Sequence, residues 1–338
     1  MKFENIFKNK KIVAAIGLVI LLLAVFFLSR GGYVKNFTNL PLEGDYSNIV
    51  VGSKQVFILK DGYIGSFSQD GKEIKRINLP LKGGNIVGDK DTIVYFSNAN
   101  IYFLDKSGKI KASQKLNFSI EDCVINDDKV LAVGRNSYSV MDSSAKIISK
   151  GAVNGRILTY DLNDEKVAIT SIVKKDETQN NVISFLYSID LKDNKDNKET
   201  ILTFPNELIY YSEVFQDGHI LTVSNIEARV MNEEVILGKK KVNDFKAARA
   251  YKNNIYILED DKLGVYDLNL INQKKMELKG DFSSLAIKDK VYLYNSKGFA
   301  MYENGMVKDF VQTEEIQDVI VNSSDIFFIH SNSISVEN

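Results

Sequence analysis

Short apolar segments recur at a regular interval from residue 56 to the end of the chain. The intervals between their first residues are 37, 37, 37, 53, 35, 36 and 35 residues. The segments are VFIL at Val56, IVYF at Ile93, VLAV at Val130, VAIT at Val167, ILTV at Ile220, IYIL at Ile255, VYLY at Val291 and IFFI at Ile326. Each is followed by a turn and a second strand-like segment. A period of about 35–45 residues with four short strands per unit is typical of a β-propeller.

The hydrophobic pattern inside each unit supports this all-β prediction. Inner strands of a propeller blade are covered on both faces, so they should be continuously apolar, as these segments are. The last strand of a blade has an unpaired edge, where lysines discourage association between edges. Lysine-rich last strands are predicted at KEIKRINL, KIKASQKL, EEVILGKKK and NQKKMELK. A β-sandwich would also give alternating strands, but it would not explain eight evenly spaced repeats in which the basic strand is always the last.

The tetrapeptide NLPL occurs twice, at residues 39–42 and 78–81. The second copy follows a full set of strands, whereas the first has none before it. The last repeat, from residue 315, supplies three strands and then the chain ends. We therefore predict that residues 33–42 form the fourth strand of the eighth blade and close the ring. The predicted blades are 45–80, 81–117, 118–152, 153–204, 205–242, 243–279, 280–314, and 315–338 with 33–42. Seven blades is the alternative, because the interval of 53 residues in the fourth repeat hides an insertion.

The N-terminal segment has a different character. Residues 12–28 contain no charged or polar side chain, and four lysines precede them against one acid. A run of this length is just long enough to cross a bilayer as a helix, and the flanking positive charge places the N-terminus in the cytoplasm. We predict a cytoplasmic tail at 1–11, a transmembrane signal-anchor helix at 12–29, a linker at 30–32 and an extracytoplasmic propeller at 33–338. A cleaved signal peptide is the alternative, although the apolar run is long for one and no A-x-A site follows it.

Charge and cysteine content narrow the classes of partner. The first 30 residues hold five of the 43 basic residues and one of the 44 acidic residues, which leaves the remainder with 38 and 43, a net charge of −5. A nucleic-acid partner is therefore not expected. Cys123 is the only cysteine, so no intrachain disulfide can form and no lipid anchor is expected. The short linker reaches about 14 Å at most, so turns such as Asp105-Lys106-Ser107-Gly108 should face the membrane and residues 174–181 should face outward.

The segment DTIVYFSNANIYFLDKSGKIKAS resembles the repeat of pyrroloquinoline-quinone-type and WD40-like propellers, in which a strand ends in an L-D-x-x-G-K turn. Similar turns occur in FSQDGKEI and YENGMV, and a weaker one in MDSSAKII. The whole arrangement resembles the membrane-anchored bacterial β-propellers of uncharacterised function. The chain has no tryptophan, unlike the quinone-dependent enzymes, so the resemblance implies the fold and the topology but no quinone cofactor.

Residues able to perform catalysis or bind metals are few. The two histidines, His219 and His330, fall in different repeats, and Cys123 lies in an inner-strand context that favours a small buried residue. The acidic stretch from Asp190 to Glu199 lacks the glycine and the alternating oxygen ligands of a calcium loop, so a solvated hairpin is favoured. We predict no catalytic, cofactor-binding or metal-binding residue, and no cofactor.

Two classes of function remain open at this point. The first is a non-catalytic binding or scaffolding module at the outer face of the cytoplasmic membrane, which would recognise a protein, a peptide or a cell-wall polymer. The alternative is an extracytoplasmic carbohydrate-active hydrolase or lyase that uses carboxylates in the propeller channel. Carboxylates that converge in the channel with perturbed pKa values would favour the enzyme. The sequence does not predict an oligomeric state.

Overall fold

The computed structural model describes residues 36–42, 48–52, 54–89, 92–105, 107–126, 128–174, 182–192, 198–288, 290–308, 310–321 and 325–337. The predicted tail, membrane anchor and linker, residues 33–35 of the closing strand, and the loop at 175–181 lie outside these residues. No α-helix occurs in the described part of the chain. Accordingly, no helix there is long and apolar enough to cross a membrane.

The described residues form eight antiparallel sheets, so the eight-bladed propeller is confirmed and the seven-bladed alternative is wrong. Blades are numbered in chain order, and within each blade the first strand is innermost. Blade 1 contains β2 (Ile49–Val51), β3 (Val56–Lys60), β4 (Tyr63–Phe67) and β5 (Glu73–Asn78). Blade 2 contains β6 (Asn85–Asp89), β7 (Thr92–Ser97), β8 (Asn100–Leu104) and β9 (Ile110–Lys115). Blade 3 contains β10 (Asp122–Asn126), β11 (Lys129–Val133), β12 (Ser137–Asp142) and β13 (Ile147–Ala152). Blade 4 contains β14 (Arg156–Leu162), β15 (Lys166–Lys174), β16 (Val182–Asp190) and β17 (Glu199–Pro205).

The second half of the ring repeats this order. Blade 5 contains β18 (Ile209–Val214), β19 (Ile220–Ser224), β20 (Ala228–Asn232) and β21 (Val235–Lys240). Blade 6 contains β22 (Phe245–Tyr251), β23 (Asn254–Glu259), β24 (Lys262–Tyr266) and β25 (Asn272–Glu277). Blade 7 contains β26 (Ser284–Ile287), β27 (Val291–Asn295), β28 (Gly298–Glu303), β29 (Met306–Val307) and β30 (Val311–Gln312), the last two both pairing with β28. Blade 8 contains β31 (Asp318–Val321), β32 (Ile326–Ile329), β33 (Ile334–Glu337) and β1 (Asn36–Phe37).

Closure of the ring by the N-terminal segment is confirmed, but of the described residues in the predicted strand 33–42 only Asn36–Phe37 forms a strand. Strand β1 pairs with β33 in the register Asn36↔Ser335 and Phe37↔Ile334, so the first strand of the chain is the outermost strand of the last blade. The two NLPL copies occupy equivalent places. The Leu40 amide donates to the carbonyl oxygen of Asn332 (2.9 Å), and the Leu79 amide donates to that of Gly62 (3.0 Å), each carbonyl lying in the turn between the second and third strands of its blade.

The hydrophobic core lies between the faces of adjacent blades. Separate clusters of buried side chains join blades 1 and 2, 2 and 3, 3 and 4, and so on to blades 7 and 8. The predicted basic last strands β5, β9, β21 and β25 are the outer strands and are largely exposed. Because each blade buries both faces against its neighbours, its second strand is mainly apolar.

Two details correct the interpretation of the repeats. The long fourth interval is not only a loop insertion, because β15 and β16 each contain nine residues, and Lys174, assigned to the loop, is the last residue of β15. The segment YENGMV does not form the Asp-based turn. Its Asn304 and Gly305 both have positive φ, which defines a two-residue hairpin between β28 and β29. In MDSSAKII the Asp-based turn is present, with the Asp142 carboxylate accepting bonds from the amides of Ser144 and Lys146 (2.9 and 3.0 Å).

Candidate functional site in the propeller channel

The candidate site is a cavity of about 660 Å³ in the central channel, and the innermost strands of blades 3 to 8 line it. Its polar side is formed by Tyr160, Asp161, Tyr211, Glu213 and Arg249 from blades 4, 5 and 6. The lining residues from the next two blades, 7 and 8, are apolar and include Ile287, Val319 and Val321. The channel wall is therefore amphipathic around its circumference.

The strand register explains this asymmetry. In every blade, one residue of the innermost strand pairs with the second residue of the recurrent apolar segment. These residues are Val50, Val87, Val124, Asp161, Glu213, Arg249, Ala286 and Ile320 in blades 1 to 8. Five of the eight equivalent positions are aliphatic, and the three ionisable ones are consecutive. We call these eight residues the channel ring.

Both carboxylates of the channel ring connect neighbouring blades. Asp161 Oδ2 accepts a hydrogen bond from the backbone amide of Val214 in blade 5 (2.8 Å). In the same way, Glu213 accepts from the backbone amide of Ala250 in blade 6, at 3.2 Å to Oε1 and 3.0 Å to Oε2. The two donors, Val214 and Ala250, directly follow the ring members of their own blades, Glu213 and Arg249. The carboxylates thus satisfy backbone N–H groups that would otherwise face the channel.

Arg249 is held by the tyrosine of the preceding blade. Its Nη1 donates to the Tyr211 hydroxyl (2.7 Å) and to the Ala248 carbonyl oxygen (3.0 Å). The same hydroxyl lies 2.8 Å from Glu213 Oε2 and 2.6 Å from the Ala248 carbonyl oxygen. Arg249 is exposed to solvent and lines the cavity. Its pKa is raised by the electrostatic effects of Tyr211 and Glu213, so it is cationic.

The two ring carboxyl groups have raised pKa values. Burial raises the pKa of Asp161 to about 6, against the opposing effect of its backbone donors and Arg249. Burial, together with the charge of Asp161, raises the pKa of Glu213 to about 7, although Arg249 opposes the shift. Each group carries its negative charge where little water can solvate it, and its backbone donors compensate only in part.

A second tyrosine and carboxylate extend the polar side into blade 3. The Tyr160 hydroxyl donates to Asp122 Oδ2 and thereby joins β14 to β10. Burial, the hydrogen bond to Asp122 and the charge of Asp122 all raise the pKa of Tyr160. Its hydroxyl group is therefore a neutral hydrogen-bond donor at the channel wall.

The residues considered from sequence lie apart from this cavity. Cys123 is buried between blades 2 and 3, where burial and the charge of Asp122 raise the pKa of its thiol. His219 lies between β18 and β19, with Nδ1 2.8 Å from Asp217 Oδ2. His330 is buried in blade 8, with Nδ1 3.1 Å from the Glu315 carbonyl oxygen and Nε2 2.9 Å from Ser335 Oγ. The two histidines are therefore in different blades, as expected.

The acidic stretch from Asp190 to Glu199 is described only at its two ends. Lys192 forms an ion pair with Glu165 (2.5 Å), and Lys198 forms one with Glu233 of blade 5 (2.7 Å). Residues 193–197 lie outside the described part of the chain. Within that part, no group of three or more His, Cys, Asp or Glu side chains is arranged to hold a metal ion.

Sequence reasoning missed the ionisable members of the channel ring. The signal was present, because Asp161, Glu213 and Arg249 stand six or seven residues before the apolar segments of three successive repeats, and the other repeats have Val, Ala or Ile five or six residues before theirs. Aligning the eight first strands with one another, rather than only the apolar second strands, would have found them.

Comparison with known proteins identifies the fold alone. No protein-family model matches the chain, and no curated protein matches it. Among solved structures it is similar to BamB from Moraxella catarrhalis, with a TM-score of 0.59 and 10% identity over 90% of this chain and 98% of that one. It is also similar to Sqt1 from Saccharomyces cerevisiae, with a TM-score of 0.59 and 12% identity over 89% and 100%. The WD40 domain of Pan2 from Neurospora crassa gives a TM-score of 0.51 and 12% identity over 90% and 94%.

Proposed function

We propose that this chain is a non-catalytic binding or scaffolding propeller held at the outer face of the cytoplasmic membrane by residues 12–29. It would recognise a protein, a peptide or a cell-wall polymer through the channel cavity and the loops around it. The observation that carries the proposal is the amphipathic channel wall, with ionisable groups in three consecutive blades and aliphatic side chains in the two blades that follow. Such a wall offers polar contacts for orientation and an apolar surface for affinity.

The bonding of the ring carboxylates favours binding over catalysis. Asp161 and Glu213 each accept backbone N–H groups of the next blade, so each has a structural role. A pair of carboxylates that hydrolyses a glycoside must instead lie on either side of a substrate bond, one as acid and one as base or nucleophile. In the channel they follow one another around the wall.

An extracytoplasmic hydrolase or lyase is kept as a second candidate because of one observation. The raised pKa values of Asp161, about 6, and Glu213, about 7, lie in the range that suits a general acid at neutral pH. Replacement of both groups by amides, Asp161→Asn with Glu213→Gln, separates the two candidates. If the chain is an enzyme, the wild type should turn over its substrate and the double variant should bind the substrate without turnover. If it is a binding module, the wild type and the double variant should both bind the partner and neither should show turnover.

A photo-crosslinking amino acid placed at Leu158 tests the binding function directly. Leu158 lines the cavity and is 37% exposed, whereas Ile74, on the outer strand of blade 1, is 59% exposed and serves as the matched control. In intact cells we expect one covalent adduct of defined mass at 158 and none at 74. The same adduct at both positions, or no adduct at 158, would contradict recognition through the channel.

The topology is tested by labelling intact cells with a membrane-impermeant thiol reagent in a Cys123→Ser background. Asp61→Cys and Ser107→Cys place thiols at turns on opposite faces of the propeller, in β3–β4 and β8–β9 respectively. Both should react without permeabilisation if the propeller is extracytoplasmic, and Ser107→Cys should react more slowly if its face lies close to the membrane. Reaction only after permeabilisation would overturn the proposed location.

A further inference from the structure

Of the three ionisable members of the channel ring, the first two are hydrogen-bond acceptors and the third is a hydrogen-bond donor. The carboxylate of Asp161 binds the amide of Val214, and the carboxylate of Glu213 binds the amide of Ala250. The next member is Arg249, which cannot accept a hydrogen bond. The amide in the equivalent place is that of Ile287, because Ile287 pairs with Val291 as Ala250 pairs with Ile255.

The Ile287 amide should face the channel. In an antiparallel ladder the backbone N–H groups of a strand point alternately toward and away from the partner strand. Val214 and Ala250, at the same register, direct their N–H groups away from their second strands and toward a carboxylate. Ile287 also lines the cavity, beside Arg249. A guanidinium group and a backbone donor therefore occupy neighbouring positions on the wall.

Arg249 has hydrogen-bonding capacity that its own neighbours do not use. Both of its hydrogen bonds involve Nη1, and within the described part of the chain no carboxylate lies within 4.0 Å of its side-chain nitrogens. The contrast is Arg229 in blade 5, which is buried, binds Glu207 through both Nη atoms and has Nε 3.0 Å from Glu227. Arg229 is thus a structural arginine, whereas Arg249 is positioned by Tyr211 and open to the channel.

We propose that Arg249, together with the Ile287 amide, binds the carboxylate of a peptide ligand in the channel. The ligand carboxylate would join blade 6 to blade 7 by accepting hydrogen bonds from Arg249 and from the Ile287 amide. Asp161 and Glu213 join their own blades to the next blade by accepting backbone amides in the same way. A planar guanidinium group matches a carboxylate with two parallel hydrogen bonds. The aliphatic side chains of Ile287, Val319 and Val321 would cover an apolar residue next to that carboxylate. This inference rests on the proposed binding function and specifies the chemistry of the ligand.

The charges around Arg249 predict how pH affects this binding. The groups that act on its guanidinium are Glu213 and Tyr211 from blade 5, Asp161 from blade 4 and Tyr294 from blade 7. The two tyrosines stay neutral below pH 9, since burial raises their pKa values. Protonation of Asp161 and Glu213 removes repulsion toward a second carboxylate, so the ligand should bind more tightly at pH 6 than at pH 8.

The test uses the full-length protein in detergent and acetylated dipeptides that end in 4-fluorophenylalanine, observed by fluorine NMR line broadening. One probe has a free C-terminal carboxylate and its partner has a C-terminal amide. A second pair has the amide terminus in both members and carries Glu or Gln before the fluorinated residue. The first pair tests a terminal carboxylate, and the second pair tests a side-chain carboxylate. Detergent partitioning is measured separately with protein-free micelles.

We expect the wild-type protein to bind the acid of at least one pair about 10-fold more tightly than its amide, since hydrogen bonds to charged groups are stronger than those to neutral groups. Arg249→Gln should abolish that preference, Arg249→Lys should retain part of it, and Arg156→Gln, an exposed arginine on β14 outside the cavity lining, should leave it unchanged. Equal melting temperatures would show that the variants fold.

Two results would overturn the inference: acid and amide binding equally to the wild type, or an acid preference that survives in Arg249→Gln. Absence of binding by both acids counts against it as well. A failure of the crosslinking at Leu158 would instead contradict the proposed function and leave the acid preference as a property of the channel. The two failures are therefore distinguishable.

Discussion

The substitution Phe37→Ala should destabilise the propeller at the point where its two ends meet. Phe37 is 1% exposed and lies in β1, the two-residue strand that completes blade 8. The segment continues into buried Leu40 and Leu42, and it reaches blade 1 through a bond from the Thr38 amide to the Gln69 carbonyl oxygen (2.6 Å). Truncation of Phe37 removes the largest buried side chain of this segment.

The expected magnitude follows from its burial. Truncation of a fully buried phenylalanine to alanine costs about 3–5 kcal/mol, from lost burial and from the cavity that remains. For a large domain the urea dependence of the unfolding free energy is near the upper end of the usual range, about 3 kcal/mol per M. The midpoint of urea unfolding should therefore fall by about 1–1.7 M. A truncated chain that begins at residue 44 should lose more than one that begins at residue 31.

The assay is equilibrium unfolding in urea, followed by tyrosine fluorescence and by far-ultraviolet circular dichroism. Ile74→Ala is the matched control, because Ile74 is 59% exposed on the outer strand of blade 1 and its truncation should change stability by about 0.5 kcal/mol at most. If Phe37→Ala unfolds at the same urea concentration as Ile74→Ala, the N-terminal strand does not hold the ring closed.

Two further changes test polar contacts between blades 4, 5 and 6. Arg229→Ala should lower the unfolding free energy by about 3–5 kcal/mol, because it leaves the carboxylates of Glu207 and Glu227 without their cation. If urea unfolding shows a loss below about 1 kcal/mol, water replaces the guanidinium group and the prediction is wrong. Burial raises the pKa of Asp161 to about 6 and that of Glu213 to about 7, above their values of about 4 in the unfolded chain. Their protonated forms therefore contribute stability that is fully present below pH 4 and is lost as pH rises through about 6 and 7. Asp161→Asn with Glu213→Gln should therefore flatten the fall in urea midpoint between pH 5 and pH 8, and an unchanged pH profile would contradict the raised pKa values.

The repeat pattern was sufficient to predict the blades and their order. Four-stranded units, apolar inner strands and basic outer strands follow from local sequence, because each blade meets the same surroundings on both sides. The closing strand was also predictable, since the first NLPL copy had no strands of its own and the last repeat lacked its fourth strand. Leu40 and Leu79 confirm that equivalence through matching backbone hydrogen bonds.

The partners and pKa values of the ionisable residues in the channel ring could not be predicted in the same way. Asp161, Glu213 and Arg249 are separated by 52 and 36 residues in sequence and are surrounded by many other charged residues. Nothing local distinguishes Glu213, which accepts the Ala250 amide, from Glu227, which binds Arg229. Their roles depend on which innermost strands are neighbours and on which residues share a register.

By itself, the sequence determined that the chain is a repeat of four-stranded blades whose ends meet in one blade, because strand formation and blade packing depend on short periodic patterns. The structure decided between eight blades and seven. Only the tertiary structure decided that three consecutive blades place an aspartate, a glutamate and an arginine at one level of the channel, followed by aliphatic side chains in the next two blades. That arrangement arises because consecutive blades place their first strands side by side around the channel. Residues distant in sequence are thereby brought together and the two carboxyl groups are buried, and those two effects set their partners and their pKa values.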